Sequence, residues 1–156
     1  MSDRPTVYVD ECGVDTYLYR EHARSVRGAP VLGGVCGRKH KRVGIVAAQV
    51  AGHVLAPCQY DGTMGSGLFE AWFSEWLLPV LPEKSVIVMD NASFHRKGRL
   101  RPMAEAAGHS VLFLPPCSPE LNPIENFWAW LKRRLRKILP GYSTFDNAFC
   151  SCFKAK

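Results

Sequence analysis

The chain has 156 residues and carries 20 Lys and Arg against 14 Asp and Glu, a formal net charge of +6. This is the length of one ordinary domain that can bury a core without disulfides, so we expect a single domain over residues 1–156. Its apolar stretches fall far short of the roughly 20 residues that span a bilayer, which excludes a membrane protein. The positive charge favours a polyanionic partner such as nucleic acid, although a solvated basic surface gives the same composition.

Six cysteines are scattered along the chain, and no pair has the two-residue gap of a zinc knuckle or redox motif. Unpaired thiols without a secretory signal indicate a reducing compartment, so we expect a cytoplasmic protein. Cys150 and Cys152 are interpreted as two thiols near the chain end, with metal binding as the alternative.

The first elements predicted along the chain are strands. Thr6 to Asp10 is rich in β-branched and aromatic residues and ends at the acidic pair Asp10-Glu11. Residues 12–42 are rich in Gly and Arg and are interpreted as an exposed connection. Residues 43–50 and 53–60 are two strand-like runs joined through Ala51-Gly52, a spacing that predicts a hairpin.

Helices and buried strands alternate in the remainder of the chain. Apolar residues recur at helical spacing over 68–81, and this predicted helix stops at Pro82; its apolar positions are Leu68, Trp72, Phe73, Trp76, Leu77 and Val80. The continuous apolar runs 85–90 and 110–114 predict buried strands, separated by a helix over 99–107. A last helix is predicted over 123–139, with Asn122 as its N-cap. This order predicts an α/β fold with one central sheet covered by helices.

Three carboxylates fall where such a fold can bring them together. If the strands that carry Asp10 and Asp90 are parallel neighbours, both aspartates project from the same end of the sheet. Glu125 lies in the first turn of the last helix, at the flank of an apolar stripe that should face the sheet; the stripe consists of Ile124, Phe127, Trp128, Leu131, Leu135 and Ile138. Phosphoryl transfer through two divalent cations needs oxygen ligands of this kind.

Each acidic residue also has a purely structural interpretation. Glu125 follows Asn122 by three residues and could complete a capping box. Asp90-Asn91 after an apolar strand could form a turn. Asp10-Glu11 could be an exposed strand end, and the sequence leaves open which of the two acids is the functional one. Only their joint occurrence in these elements favours a catalytic site.

Basic residues follow Glu125 along the last helix. Lys132 and Arg136 share its flank, and we expect these two residues and Arg133 to contact DNA phosphates. A solvated basic face, favoured by the helix dipole, is the alternative. His95 lies five residues after Asp90; we group it with the DNA-contacting residues, where it would orient a substrate or water, and an ordinary polar loop contact is the alternative.

Taken together, these motifs resemble a known family. They are Asp10-Glu11 after a strand, Asp90-Asn91-Ala92-x-x-His95, and Leu114-Pro115-Pro116-x-Ser118-Pro119-x-Leu121-Asn122-Pro123-Ile124-Glu125-x-x-Trp128-x-x-x-Lys132. The chain is similar to the mariner-like superfamily of DDE transposases, especially its bacterial insertion-sequence branch. The 34 residues between Asp90 and Glu125, counted as 91 through 124, match that branch.

The resemblance implies a ribonuclease H-like fold, with a mixed five-stranded sheet flanked by helices. It implies that Asp10, Asp90 and Glu125 bind two Mg²⁺ ions, with Mn²⁺ as a substitute, and catalyse DNA cleavage and strand transfer. Water would attack a phosphodiester at the end of the element, and the freed 3′-hydroxyl would then attack target DNA. The partners expected are therefore element ends and target DNA.

The chain departs from the family in one respect. Family members usually carry N-terminal helix-turn-helix modules, and this sequence starts almost directly at the first catalytic strand. We therefore expect a separate helix-turn-helix chain and a homodimer as further partners, in a protein associated with the nucleoid when bound to DNA. A catalytically silent DNA-binding remnant and another ribonuclease H-like nuclease, acting on RNA or hybrids, are the alternative functions.

Overall fold

Strand β1 lies at the centre of a mixed five-stranded sheet. The computed structural model describes residues 3–16, 27 and 41–154. The strands are β1 (Thr6–Asp15), β2 (Arg42–Val50), β3 (His53–Asp61), β4 (Val86–Met89) and β5 (Ser110–Phe113). Their order is β3-β2-β1-β4-β5, with antiparallel pairing from β1 to β3 and parallel pairing of β1 with β4 and of β4 with β5. The predicted α/β class and the predicted mixed sheet are confirmed.

Helices cover both faces of this sheet. They are α1 (Ser66–Trp72), α2 (Lys97–Ala106), α3 (Ile124–Ile138) and α4 (Phe145–Ser151). A π turn over Phe73–Leu77 and a 3₁₀ turn over Leu78–Val80 extend α1, and further 3₁₀ turns flank α3 at Pro119–Leu121 and Leu139–Gly141.

The alternation of side chains along β1 divides the core in two. Val7 and Val9 are fully buried against α1 and α2, whereas Cys12 and Val14 pack against α3 and α4. Successive strand residues face opposite sides of a sheet, so odd-numbered residues of β1 face α1 and even-numbered ones face α3. This parity places Asp10 on the α3 side and Glu11 on the α1 side.

The first strand is longer than predicted. We expected it to end at Asp10, but β1 continues to Asp15 because its pairing with β2 extends to Asp15 and Arg42. Asp10 is therefore an internal residue of β1, paired with Ala47. The predicted exposed connection over 12–42 is wrong for residues 12–15 and for Arg42, which belong to β1 and β2, and its positions 17–26 and 28–40 lie outside the described residues.

The hairpin prediction is confirmed. β2 and β3 join at Ala51 and Gly52, which have φ values of 47° and 80°. Two positive φ values in a two-residue loop match the twist of the flanking strands.

The predicted helix over 68–81 is only partly correct. Phe69, Trp72, Phe73 and Leu77 are buried, but Leu68, Trp76 and Val80, which we assigned to the apolar face, are exposed. The helix begins at Ser66 and passes into a π turn at Phe73. A π turn adds a residue to the turn, so the face that packs on the sheet shifts relative to a regular α-helix.

The apolar stripe of α3 is confirmed, but its predicted N-cap is wrong. Ile124, Leu131 and Leu135 are fully buried against the sheet. Pro123 occupies the N-cap position, and no side chain caps the helix. Nδ2 of Asn122 instead donates to the carbonyl of Val9 at 3.3 Å, which joins the start of α3 to β1. The capping-box alternative for Glu125 therefore lacks its Asn122 half.

The predictions about membrane spans and about unpaired cysteines can be compared with the described residues. None of the helices over 3–16, 27 and 41–154 is long and apolar enough to cross a membrane. Within the same residues the cysteines are free thiols, namely Cys12, Cys58, Cys117, Cys150 and Cys152.

Candidate active site

Asp10 and Asp90 lie on neighbouring parallel strands. β1 and β4 pair in register with Tyr8 opposite Val88. Two residues further along each strand, the same register brings Asp10 opposite Asp90, which directly follows the last residue of β4. The parallel arrangement on which the sequence argument depended is present.

Glu125 joins the two aspartates from the helix. A cleft of about 300 Å³ is lined by Asp10, Asp90 and Glu125, together with the loop from Leu114 to Pro119. We call this the carboxylate cleft. Glu125 is exposed in the first turn of α3, so its side chain is free to turn toward a ligand in the cleft. The structure thus brings together the three acids that were selected from the sequence.

Asp10 is held in a partly buried, negatively charged position. Its Oδ2 accepts a 2.9 Å hydrogen bond from Nε1 of Trp128, one turn along α3 from Glu125. Burial raises the pKa of Asp10 to about 7, with further increases from the charges of Glu11 and Glu125, against the lowering effect of the Trp128 bond. A positive charge beside this carboxylate would offset the cost of its burial as well as the repulsion from Glu11 and Glu125.

One carboxylate oxygen of Asp90, Oδ1, is held by hydrogen bonds. Its Oδ1 accepts from the backbone N–H of Ala92 at 3.1 Å and lies 3.0 Å from Nδ1 of His95. The His95 hydrogen bond lowers the pKa of Asp90, against an opposing effect of burial. About half of the Asp90 side chain is exposed, so the remaining oxygen can bind a ligand in the cleft.

His95 links Asp90 to Glu11. Its side chain is fully buried, and Nε2 lies 3.1 Å from Oε1 of Glu11. Burial alone would lower the pKa of His95, but hydrogen bonds to Asp90 and Glu11 outweigh it and raise the pKa to about 9. In this structure both ring nitrogens of His95 face carboxylate oxygens, so neither is free to contact a DNA phosphate. These contacts match the polar loop contact that was the alternative for His95.

Glu11, Asp90 and His95 place potential ligand atoms within 4.8 Å of one another. We do not assign a cation to this group. Both ring nitrogens already face carboxylate oxygens, and an imidazole with a pKa near 9 is protonated and has no lone pair to offer. The donor set that suits a hard cation is the carboxylate cleft, whose lining includes the carboxylates of Asp10, Asp90 and Glu125.

The predicted DNA-binding residues lie along α3. Lys132 is half-buried and close enough to Cys12 to lower the pKa of that thiol, which burial otherwise raises. Cys12 is two residues beyond Asp10 on the same face of β1, so Lys132 borders the side of the sheet that carries Asp10. Arg133 and Arg136 are exposed, further along the helix.

Two contributors to the site were not assigned their roles from the sequence. Trp128 was interpreted as core, and it is buried, but its indole N–H also fixes Asp10. Asn122 lines the carboxylate cleft, and its Oδ1 is buried with no hydrogen-bond partner in the described part of the chain. The sequence signal that could have assigned them to the site is their position, since each lies three residues from Glu125.

A fold with parallel strands carrying two aspartates and a helix carrying a glutamate is that of the DDE enzymes. Residues 5–146 match the family model described as DDE superfamily endonuclease. The chain belongs to this family, and the resemblance drawn from its motifs is confirmed.

Individual proteins also resemble this chain in sequence or in fold. The uncharacterized protein y4pE/y4sA of Sinorhizobium fredii (strain NBRC 101917 / NGR234) is 28% identical over 132 residues, covering 81% of this chain and 82% of the relative. The Mos1 transposase paired-end complex with left transposon end has a TM-score of 0.64 and 18% identity, over 83% of this chain and 41% of that one. The mariner Mos1 paired-end complex with Mg has a TM-score of 0.62 and 17% identity, over 97% of this chain and 56% of the Mos1 chain.

These structural similarities confirm the ribonuclease H-like fold. The chain spans 41% and 56% of the lengths of these two Mos1 chains. What the longer proteins do as a whole is therefore carried to this chain only as a proposal.

Proposed function

We propose that this chain is the catalytic domain of a mariner-like DDE transposase, which cleaves DNA phosphodiesters and joins the freed ends to target DNA. The convergence of Asp10, Asp90 and Glu125 on one cleft carries the proposal. Family membership supports it independently of the geometry, because the family consists of endonucleases by description.

The proposed cofactors are two Mg²⁺ ions, with Mn²⁺ as a substitute. The carboxylate cleft fits such ions, since it offers oxygen ligands and an Asp10 whose pKa is raised by burial and further by the charges of Glu11 and Glu125. Structures of the related Mos1 complexes with Mg and with Mn support this choice. When bound, a pair of cations activates the attacking oxygen and stabilises the leaving oxygen of an in-line displacement.

The protein's own residues hold this arrangement in place. Trp128 fixes one oxygen of Asp10, while His95 and the Ala92 amide fix one oxygen of Asp90. Both aspartates line the cleft, and each has one oxygen outside these contacts that we propose binds a cation there. Fixed ligands keep the reacting groups in line without reorganisation at the moment of reaction.

In the proposed reaction, water attacks a phosphorus atom of the DNA backbone and the bond to the 3′ oxygen breaks, leaving a 3′-hydroxyl and a 5′-phosphate. The 3′-hydroxyl then attacks a phosphodiester of target DNA, and one bond forms as another breaks. Lys132, Arg133 and Arg136 would bind the flanking phosphates along α3.

The test is replacement of each acid by its amide. Asp10→Asn, Asp90→Asn and Glu125→Gln should each abolish Mg²⁺-dependent nicking and joining while DNA binding persists. Glu120→Gln is the matched control, because Glu120 is exposed in the same loop region and does not line the carboxylate cleft. Full activity in any of the three amide variants would remove that residue from the site.

Comparison of duplex DNA, RNA and hybrid substrates tests the polymer that is cut. Preferential cleavage of the hybrid would replace the transposase proposal with a nuclease of another type. DNA binding without cleavage in either Mg²⁺ or Mn²⁺ would favour a silent remnant instead.

The remaining partners are proposed from the length of the relatives. Because the chain covers 41% of one Mos1 chain, we propose that a helix-turn-helix module outside the matched region recognises the element ends. A homodimer that holds two ends, and a location at the nucleoid, complete the proposal. Co-purification of this chain with a helix-turn-helix chain encoded beside it, and its mass in solution on paired ends, would test these partners.

A further inference from the structure

A second cleft adjoins the carboxylate cleft at the same end of the sheet. It has a volume of about 590 Å³ and shares Asp10 and Asp90 with the carboxylate cleft. Its other lining includes Gly13, Arg42 and Tyr60. We call it the platform cleft. None of the proposed catalytic steps uses these three residues.

A pair of glycines forms the floor of the platform cleft. Gly13 on β1 is directly opposite Gly44 on β2, which is directly opposite Tyr60 on β3. The aromatic ring of Tyr60 lies over Gly44, and the guanidinium of Arg42 lies over Gly13, each so close that a Cβ atom on the glycine would collide with it. The missing side chains therefore let an aromatic ring and a cation lie against the sheet.

The two side chains on this floor have complementary chemistry. Arg42 is exposed and forms no salt bridge with an acidic residue in the ranges 3–16 and 41–154. Burial raises the pKa of Tyr60 to about 12, with a contribution from the charge of Glu11, so the phenol stays neutral. A guanidinium suits a phosphate, and a neutral aromatic ring suits the face of a nucleobase.

We propose that the platform cleft binds an unpaired nucleotide of the DNA strand beside the phosphodiester that is cut. This inference rests on the proposed function, because it takes DNA as the substrate. A base can stack on a protein ring only after leaving its own stack, so the ligand is an unpaired nucleotide and not continuous duplex. The cleft volume lies in the range of small-ligand sites, and its border with Asp90 places the nucleotide next to the reacting phosphate.

The test compares two DNA duplexes that differ in one feature. One ends in a short unpaired extension containing 2-aminopurine, and the other is blunt. Binding of the full chain is measured in Ca²⁺ by anisotropy and by 2-aminopurine fluorescence, over a range of salt concentrations. Cleavage of both duplexes in Mg²⁺ is followed in parallel.

Tyr60→Leu should weaken binding of the extended duplex by about fivefold to a hundredfold and restore the fluorescence of the base, because the stacking surface is removed. Arg42→Gln should lower the slope of log affinity against log salt concentration by about 0.7, which is the contribution of one phosphate contact on single-stranded DNA. Binding of the blunt duplex should not change. Tyr142→Leu and Arg4→Gln, exposed residues outside the platform cleft, are the matched controls.

Two further variants keep the test decisive if Tyr60→Leu does not fold. Gly44→Ala should displace the Tyr60 ring and weaken binding of the extended duplex, whereas Tyr60→Phe should retain it because the ring remains. Circular dichroism reports whether each variant is folded.

The inference is overturned if wild type cuts DNA but the folded platform variants bind extended and blunt duplexes as wild type does. Equal loss of affinity for both duplexes also overturns it, since that result indicates a general backbone contact. A wild-type chain that neither cuts nor binds DNA refutes the proposed function itself. The two failures are therefore distinguishable.

Discussion

Trp128 and Asp10 are joined across the interface between α3 and β1 by a 2.9 Å hydrogen bond from the indole N–H to a carboxylate oxygen. The bond connects the helix that carries Glu125 to the strand that carries the first aspartate. It satisfies a buried indole donor and fixes the orientation of the Asp10 carboxylate, a proposed cation ligand, at the same time. Packing of α3 is therefore coupled directly to the geometry of the proposed cation site.

Trp128→Phe should reduce cleavage without removing any proposed cation ligand. The ring volume is largely kept, but Asp10 loses a donor, and hydrogen bonds to charged groups contribute about 1.5–3 kcal/mol. We expect at least a tenfold lower cleavage rate and a higher Mg²⁺ concentration for half-maximal activity. Trp130→Phe, on the exposed side of the same helix, is the control and should change neither value. Unchanged Mg²⁺ dependence in Trp128→Phe would contradict the positioning role.

The His95 bridge predicts a pH dependence of stability in the absence of divalent cations. The pKa of His95 is raised to about 9 from an ordinary value of 6.5, so its contribution is complete below pH 6.5 and is lost as the pH rises to 9. We expect the free energy of unfolding to fall over this window by at most about 3 kcal/mol. His95→Gln should be less stable than wild type at pH 6 and should lose this part of the pH dependence. Urea unfolding at closely spaced pH values measures both effects.

Neutralising Asp10 should raise the stability of the folded protein, whereas replacing His95 should lower it. Its pKa is raised to about 7 from 3.8, so ionisation destabilises the folded state progressively from pH 3.8 to 7, and the destabilisation is complete above pH 7. Asp10→Asn should therefore increase stability at pH 8 without cations by about 1–3 kcal/mol, while abolishing cleavage. Thermal unfolding with and without Mg²⁺ provides the measurement.

The same measurement separates a cation ligand from a merely buried acid. Mg²⁺ should raise the melting temperature of wild type, since a ligand that binds only the folded state stabilises it. It should have little effect on Asp10→Asn. An equal rise in both proteins would place the cation elsewhere.

Much of the fold could be predicted because local residue patterns indicate its helices, strands and turns. The apolar runs of β4 and β5 and the apolar stripe of α3 were identified from residue type and periodicity alone. The turn at Ala51-Gly52 followed from the spacing of two strand-like runs. The end of β1 could not be predicted, because residues 11–15 are held in the strand by pairing with β2 and not by their own composition.

In the candidate site, too, some features follow from the local sequence and others depend on tertiary contacts. Asp10, Asp90 and Glu125 were selected from the elements that carry them, and the structure brings them to one cleft. The choice between Asp10 and Glu11 depended on which face of β1 each residue occupies, and that became clear only from the packing of Cys12 and Val9. The burial of His95 was not visible in the sequence either, since it results from contacts with Phe69 and Phe94 on the α1 side.

The exposed basic residues of α3 should set the salt dependence of DNA binding. Removing one phosphate-binding cation lowers the slope of log affinity against log salt by about 0.9 on duplex DNA, so Arg133→Gln and Arg136→Gln together should lower it by about 1.8. Lys132→Gln should lower it as well and should also reduce cleavage, because Lys132 borders Cys12 near the carboxylates. Lys154→Gln, an exposed cation after α4, is the control. A salt slope that is equal in the double variant and in wild type would assign α3 a solvated basic face and would move the DNA path to another part of the surface.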